Sequence, residues 1–245
     1  GGNYSDHYTV RISRRAKNVV SINQLSRFPK VVPEIAKWVL KGNGALTFGV
    51  SSAQCYTESR EGLASPDIQL LFTPASYDDG KFGVLEKKPG ATINISIARP
   101  GSRGTIMATS SDPFSRPAIR GNFLSDLDDV RISKEGIRKA RDIFAQPAFA
   151  KHLVEETMPG QNVTEDAALE HFIRQTGRTI YHCVGTCKMG EDPMAVVDSR
   201  LRVHGMERLR VVDASIMPTV TTGNTNAPTI MIAEKASAMI LEDAA

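Results

Sequence analysis

The stretch YHCVGTCKMG, Tyr181 to Gly190, gathers one imidazole, two thiols and two glycines within ten residues. Three chemistries compete for it: a metal site, a redox or nucleophilic cysteine, or a histidine acting on something that lies close to the main chain. A structural zinc takes four protein ligands. His182, Cys183 and Cys187 offer three, no second CxxC or HxxxH pair stands elsewhere, and Cys55 and His204 are solitary. No metal is therefore expected. A nucleophilic thiol needs a lowered pKa and a base held beside it, and the sequence identifies no third group for such an arrangement. A lone histidine is as well explained by an imidazole with a satisfied hydrogen bond.

Further evidence lies downstream. RLRVVDAS (208–215) reads as a buried strand ending in Asp213, Ala214 and Ser215. MPTVTTGNTNAPT follows as a polar loop carrying Gly223, Asn224 and Asn226. Pro228 stands at the opening of the last helix, where its missing N–H costs nothing. A strand, small residues, a polar loop and a helix start together expose several backbone N–H groups. The start of a helix carries roughly half a positive charge, so such a place suits an anion or a ligand that becomes anionic.

The elements that position these residues follow from periodicity. TVRIS is strand-like, and VPEIAKWVLKG reads as a helix with Ile35, Trp38 and Val39 on one side and Gly42 as its stop. Residues 45–57 look extended, IQLLFT (68–73) is a strand candidate, and SYDDGKFGVLEKKPG reads as a loop. ATINISIARP alternates Ile93, Ile95 and Ile97 with polar or small residues. With the turn PGSRG and then TIMATSS it predicts a strand–turn–strand. SKEGIRKARDIFA predicts a helix capped by Ser133, and TEDAALEHFIRQ one capped by Thr164. APTIMIAEKASAMILED predicts a third, with Ile232, Ala236, Met239 and Ile240 on its apolar face. The middle is accordingly α+β, an antiparallel sheet with helices. No G-x-G-x-x-G strand-to-helix loop occurs, so most of the phosphate site of any nucleotide cofactor is expected outside this chain.

Composition sets the bounds. The chain of 245 residues is 41% hydrophobic and 23% charged, with net charge +3. That mild balance gives no argument for nucleic acid as a partner, despite the local run Arg11, Arg14, Arg15 and Lys17. Three cysteines, one of them isolated, are not a disulfide framework and suit a reducing, cytoplasmic setting. Asn3, Asn94 and Asn162 open N-x-[ST] sequons that read as chance in that setting. No apolar run approaches the ~20 residues that span a bilayer. GGNYSDHYTV has the look of the middle of a loop, and the chain is expected to be the C-terminal piece of a longer protein.

The tail resembles the C-terminal signature of the glucose–methanol–choline (GMC) oxidoreductases, in its choline-dehydrogenase-like branch. The residues that carry the resemblance are His182 with Gly185-Thr186-Cys187-Lys188-Met189-Gly190, then VVDSRLRVHGMERLRVVDASIMPTVTTGNTNAPTIMIAEKAS. GGNYSDHY is similar to the family's G-V-G-x-N-L-x-D-H segment with its front clipped, and RPGSRGTI and SSDPFSRPAIRGNFLS match its middle. The resemblance implies an antiparallel-sheet substrate domain with helices. It also implies C-terminal segments that complete an FAD-binding α/β domain whose N-terminal half is absent from this chain. The parts would be residues 1–35, returning from the FAD-binding domain, 36–178, binding substrate, and 179–245, carrying the active site. It implies oxidation of a primary alcohol to an aldehyde by hydride transfer to FAD, with His182 as general base. The second polar residue of the site, a little over forty residues later, falls on Asn226. Asp213 and Ala214 would lie along the ribityl and phosphate of FAD, and Asn226, Ala227 and Pro228 would approach the flavin's pyrimidine edge.

The implied partners are the N-terminal FAD-binding portion of the same protein, a small alcohol, and an electron acceptor, whether oxygen, a quinone or another carrier. The alternatives are a hydroxynitrile-lyase-like enzyme on the same scaffold and a non-catalytic fragment. Cys183 departs from the family, where Pro often follows the histidine, as does Tyr4-Ser5 in place of Leu-x. Both cysteines of the motif read as small packing residues, and His7, on the D-H, reads as a satisfied loop histidine. A choline-type substrate would want an aromatic cage, and 6% aromatic content does not place one.

Overall fold

A computed structural model describes residues 1–49, 51–78 and 83–244. Val50 of the expected extended run, and Asp79, Gly80, Lys81 and Phe82 of the expected loop SYDDGKFGVLEKKPG, lie outside the described residues. The chain contains β1 (Tyr8–Ala16), α1 (Ile22–Leu25), α2 (Val31–Lys41), β2 (Ala53–Thr57), β3 (Ile68–Thr73) and β4 (Gly90–Ile97). These are followed by β5 (Thr105–Met107), β6 (Ala118–Arg120), α3 (Leu127–Ala145), α4 (Pro147–Ala150), β7 (Leu153–Met158), α5 (Asp166–Thr176), β8 (Arg178–Thr179) and α6 (Asn226–Ala244). It divides into two compact units, one of 9–96 and 132–177, the other of 1–8, 97–131 and 178–245. The cuts differ from the three parts drawn from the sequence: 9–35 goes with the sheet, and 97–131 goes with the tail.

The first unit is an α+β layer, as the sequence predicts. Its strands run in the order β2-β3-β4-β1-β7. β1 is antiparallel to β4, with Ile12 opposite Ile93 and Val10 opposite Ile95, and antiparallel to β7. Ile12, Ile68, Ile93 and Ile95 of the sheet are buried, as are Ile137, Ala140 and Phe144 of α3 and Leu169 and Ile173 of α5. Each of the larger side chains among them contributes about 1.5–3 kcal/mol by leaving water. Gly136 lets α3 approach the sheet, since a Cβ there would stand 2.3 Å from Cγ2 of Ile95. α2 ends where expected, at Gly42 in the left-handed region (φ 61°), whose N–H donates to Trp38 O. Ile35, Trp38 and Val39 of α2 are exposed.

Five expectations are corrected. TIMATSS does not pair back on ATINISI: β5 pairs with β6. Ser133 does not cap a helix. α3 starts earlier, at Leu127, where Asp126 Oδ1 accepts from Asp128 N–H (2.9 Å), and Ser133 is buried within it. The N-cap position of α5 falls on Glu165, whose side chain makes no capping hydrogen bond, and not on Thr164. RLRVVDAS is no strand. It makes one isolated antiparallel bridge, Arg202 with Arg210, and then the single 3-10 turn Ala214–Ile216. Left-handed residues at Gly205 (φ 74°) and Arg208 (φ 58°) turn the chain too sharply for a longer ladder. The run 45–57 is likewise only partly extended, with a 3-10 turn at Ala45–Thr47 before β2.

The second unit packs the tail around Val184, Val197, Leu201, Ile216, Met217, Val220, Ile232 and Ala236. Ile232 and Ala236 are the predicted apolar stripe of α6, while Ile240 is exposed. The last turn of α6 is tied down at Asp243 by Arg202, Arg210 and Arg200. The hydrogen bond from Arg202, with help from Arg200, holds that carboxyl down at about 2.

Candidate active site

The site lies in the second unit, where three stretches remote in sequence meet: residues 3–7, 179–185 and 221–226. A short antiparallel contact joins the first two, with Ser5 N–H donating to Val184 O (3.0 Å) and Val184 N–H to Ser5 O (2.9 Å). Gly185 makes the turn beyond it, with φ 92°. A Cβ on Gly185 would stand 2.3 Å from Asn3 O, so only glycine fits. Asn3 Nδ2 donates to Gly185 O (3.3 Å) and to Pro218 O (3.0 Å), tying the first two stretches to the chain just before the third.

His182 is held at two points. Its backbone N–H donates to Oδ1 of Asp6 (2.9 Å). Asp6 is buried, and its Oδ2 accepts from Tyr4 Oη (3.1 Å), Cys183 Sγ (3.2 Å) and the Thr179 hydroxyl. The ring of His182 is held by His7: the two Nδ1 atoms are 2.8 Å apart and the ring planes meet at 82°. His7 is fully buried, and its Nε2 lies 3.1 Å from Ala98 O and 2.9 Å from Thr221 O. The outer nitrogen of His182, Nε2, is 3.3 Å from Asn224 Nδ2.

Burial pulls the pKa of His182 below the ordinary imidazole value, and Asp6 pulls weakly the other way. His7 is lowered as well, first by burial and then by its neighbour His182. Burial pushes the Cys183 thiol up, with the charge of Asp6 adding to it. Burial, Cys183 and Asp6 together push the Tyr4 phenol up. These directions favour the neutral form of both histidines and the protonated form of the Cys183 thiol.

The sequence singled out His182, and the structure shows it gripped from behind with one nitrogen turned outward. It brings Asn224, not the expected Asn226, to that nitrogen. Asn226 opens α6 and is exposed, with Ala227 and Pro228 in the same first turn, which contains no acid. Asp213 is exposed, and its Oδ1 accepts from Ser215 N–H (2.7 Å), capping the turn that begins at Ala214. His7 and Asp6 were missed as parts of the site. The D-H pair was the only signal for them, and its partner lies 175 residues away. The recesses bounded by Arg202, Met206 and Asp243 and by Ser102, Arg103 and Asp126 do not include His182.

The family model for GMC oxidoreductase matches residues 100–233, which contain this arrangement except residues 3–7 and Ala98. The chain belongs to the GMC oxidoreductase family. It is 39% identical over 242 residues to "Alcohol dehydrogenase [acceptor]" of Pseudomonas putida, covering 98% of this chain and 44% of that protein. It is 41% identical over 236 residues to the oxygen-dependent choline dehydrogenase of Pseudomonas aeruginosa strain UCBPP-PA14, covering 96% and 42%. The fold matches a formate oxidase of Aspergillus oryzae RIB40, a variant studied for its FAD modification. There the TM-score is 0.88 at 22% identity, over 98% of this chain and 47% of that one. The GMC chain thus spans less than half the length of these relatives.

Proposed function

We propose that this chain carries the active-site end of an FAD-dependent oxidoreductase that converts a primary alcohol to an aldehyde, with His182 as general base. It works with an N-terminal FAD-binding portion of the same protein, a small alcohol and an electron acceptor such as oxygen, a quinone or another carrier. The observation that carries this reading is the posture of His182. Its backbone and Nδ1 are fixed by Asp6 and His7, and Nε2 is left facing Asn224. The names of the two Pseudomonas relatives, an alcohol dehydrogenase and a choline dehydrogenase, support a CH–OH group as the reacting function.

The residues present fit a flavin. The first turn of a helix leaves N–H groups without intrahelical partners and carries a partial positive charge. In α6 that turn is Asn226, Ala227, Pro228 and Thr229, with no acid to cancel the field. Such an end suits a ring edge that gathers negative charge. Asp213, beside Ala214, offers a carboxylate to hydroxyl groups. Together Asp213, Ala214, Asn226, Ala227 and Pro228 are the residues of this chain that would hold the cofactor. FAD, when bound, supplies the acceptor for the hydride that leaves the alcohol carbon.

The remaining steps belong to the side chains. The hydroxyl proton passes to Nε2 of His182. An unperturbed imidazole titrates near roughly 6.5, and burial lowers His182 further, so the base is free of a competing proton at pH 7. Asn224 donates an amide hydrogen toward the same point and orients the alcohol oxygen without titrating. In the full-length protein, His182→Ala is expected to slow anaerobic flavin reduction by the alcohol by roughly 10²–10⁴-fold, the loss typical of a general base, with FAD retained. An unchanged reduction rate removes His182 from the chemistry. Failure of every alcohol tried to bleach the wild-type flavin under argon points to lyase chemistry on this scaffold instead.

A further inference from the structure

We propose that His7 is a positioning residue that fixes the tautomer of His182, so that Nδ1 of His182 carries the ring proton and Nε2 is left as the bare acceptor. The proposal rests on His182 being the base, and it adds which nitrogen acts and why.

The argument runs outward from the backbone. Nε2 of His7 faces two carbonyl oxygens, Ala98 O at 3.1 Å and Thr221 O at 2.9 Å. Carbonyl oxygens only accept, so this nitrogen carries hydrogen. A neutral imidazole has one N–H, which leaves Nδ1 of His7 a lone pair. That lone pair is 2.8 Å from Nδ1 of His182, so Nδ1 of His182 donates and its Nε2 is unprotonated. The amide nitrogen of Asn224, 3.3 Å from that Nε2, has the polarity a lone pair requires. The two carbonyls assign the tautomer, and the amide of Asn224 is placed to match it. In the opposite tautomer, Nε2–H of His182 would meet an N–H of Asn224, two Nδ1 lone pairs would face each other, and the nitrogen turned outward could accept nothing.

The charge state of His7 agrees, since burial and the neighbouring His182 disfavour a second proton on it. The titratable groups facing the pair are Asp6, hydrogen-bonded to the His182 backbone, and behind it Tyr4 and Cys183, which share its Oδ2. Once His182 has taken a proton at Nε2, its Nδ1–H still points at His7, so the positive charge is stabilised where it forms. The hydrogen bond made by one ring nitrogen sets the state of the other. A histidine in the wrong tautomer is a poor base even when correctly placed.

The test is nitrogen NMR of the full-length flavoprotein labelled with ¹⁵N-histidine, at a pH where the imidazoles are neutral, with His182 assigned by its loss in His182→Ala. The expected spectrum shows a protonated Nδ1 and a pyridine-like Nε2 for His182. His7→Leu is expected to convert it to the Nε2–H form or a mixture, and to slow flavin reduction at least about 10-fold with FAD content unchanged. His7→Gln, which supplies both an amide donor and a carbonyl acceptor, is expected to recover part of both. A wild-type spectrum with the proton on Nε2 overturns the proposal whether or not the variants fold, as does a tautomer unmoved in His7→Leu. If His182→Ala leaves reduction untouched while the Nδ1–H spectrum is found, the base assignment fails and the tautomer assignment survives.

Discussion

Asp6 shows how much one buried side chain carries at this site. Its two oxygens accept from the His182 backbone, Tyr4, Cys183 and Thr179. A donor left without an acceptor in a buried site costs about 1–3 kcal/mol, so the carboxylate fixes the 179–183 turn by what its loss would strand. The same cluster decides the fate of Cys183. The residue is exposed, but its sulfur is turned to Asp6 and Tyr4, and the thiol is raised above its ordinary range. The thiolate is the reactive form. Iodoacetamide is therefore expected to modify Cys183 more slowly than the exposed Cys55 near pH 8, with the gap closing as pH rises. Peptide mass spectrometry of a pH series reads this directly, and rapid labelling of Cys183 at neutral pH would contradict the hydrogen-bonded cluster. At this scale the sequence marked His182, by its place in the motif that carries the family resemblance, but not the residues that hold it. From the sequence His7 reads as a satisfied loop histidine. Its carbonyl partners do satisfy it, yet its other nitrogen works on a ring 175 positions away, which no local pattern displays.

Among the elements, legibility followed how far each one depends on its own residues. α2 and α6 declare themselves by periodicity and, for α2, by the glycine stop. β4 declares itself by the alternation of Ile93, Ile95 and Ile97. The start of α3 was misplaced because two signals compete: Ser133 precedes a run of good helix formers, but Asp126 caps an earlier turn whose acids, Asp128 and Asp129, suit a helix start. RLRVV alternates like a strand, but a strand needs a partner of matching length, and the facing segment offers one bridge at Arg202. Strand pairing is decided across the fold, which is also why β5 left β4 for β6. The Ser5–Val184 contact is the short ladder on which the active site depends, and Gly185 ends it at φ 92°. Gly185→Ala is expected to cost at least about 1–3 kcal/mol, the range for a residue forced into sparsely populated backbone, because its Cβ must also displace Asn3 O. Urea unfolding of the variant measures the loss. The ring-to-ring contact of His7 and His182 should loosen with it, lowering the rate of flavin reduction. A variant with unchanged unfolding midpoint and unchanged reduction would show that the close approach to Asn3 does not hold the turn.

For the whole molecule, the magnitudes limit what this chain does alone. In the proposed reading, its contribution to a dinucleotide is the start of α6 and a few polar groups around Asp213. A helix terminus acting on charge is worth about 0.3–1 kcal/mol, up to ~2 when partly buried, whereas micromolar affinity requires about 8 kcal/mol. The missing energy is of the size that a glycine-rich phosphate loop and an enclosing adenine site supply, and the sequence contains no such loop. The relatives it matches are more than twice its length. The chain expressed by itself is therefore expected to bind FAD with a dissociation constant no tighter than about millimolar and to purify colourless. Co-expressed with the N-terminal FAD-binding portion proposed above, it is expected to purify yellow with FAD near one per complex. Equilibrium dialysis against free FAD measures the first and the absorbance ratio of the purified complex the second. Tight binding by the isolated chain would show that residues 1–245 hold a complete cofactor site and that the division of labour argued from α6 is wrong.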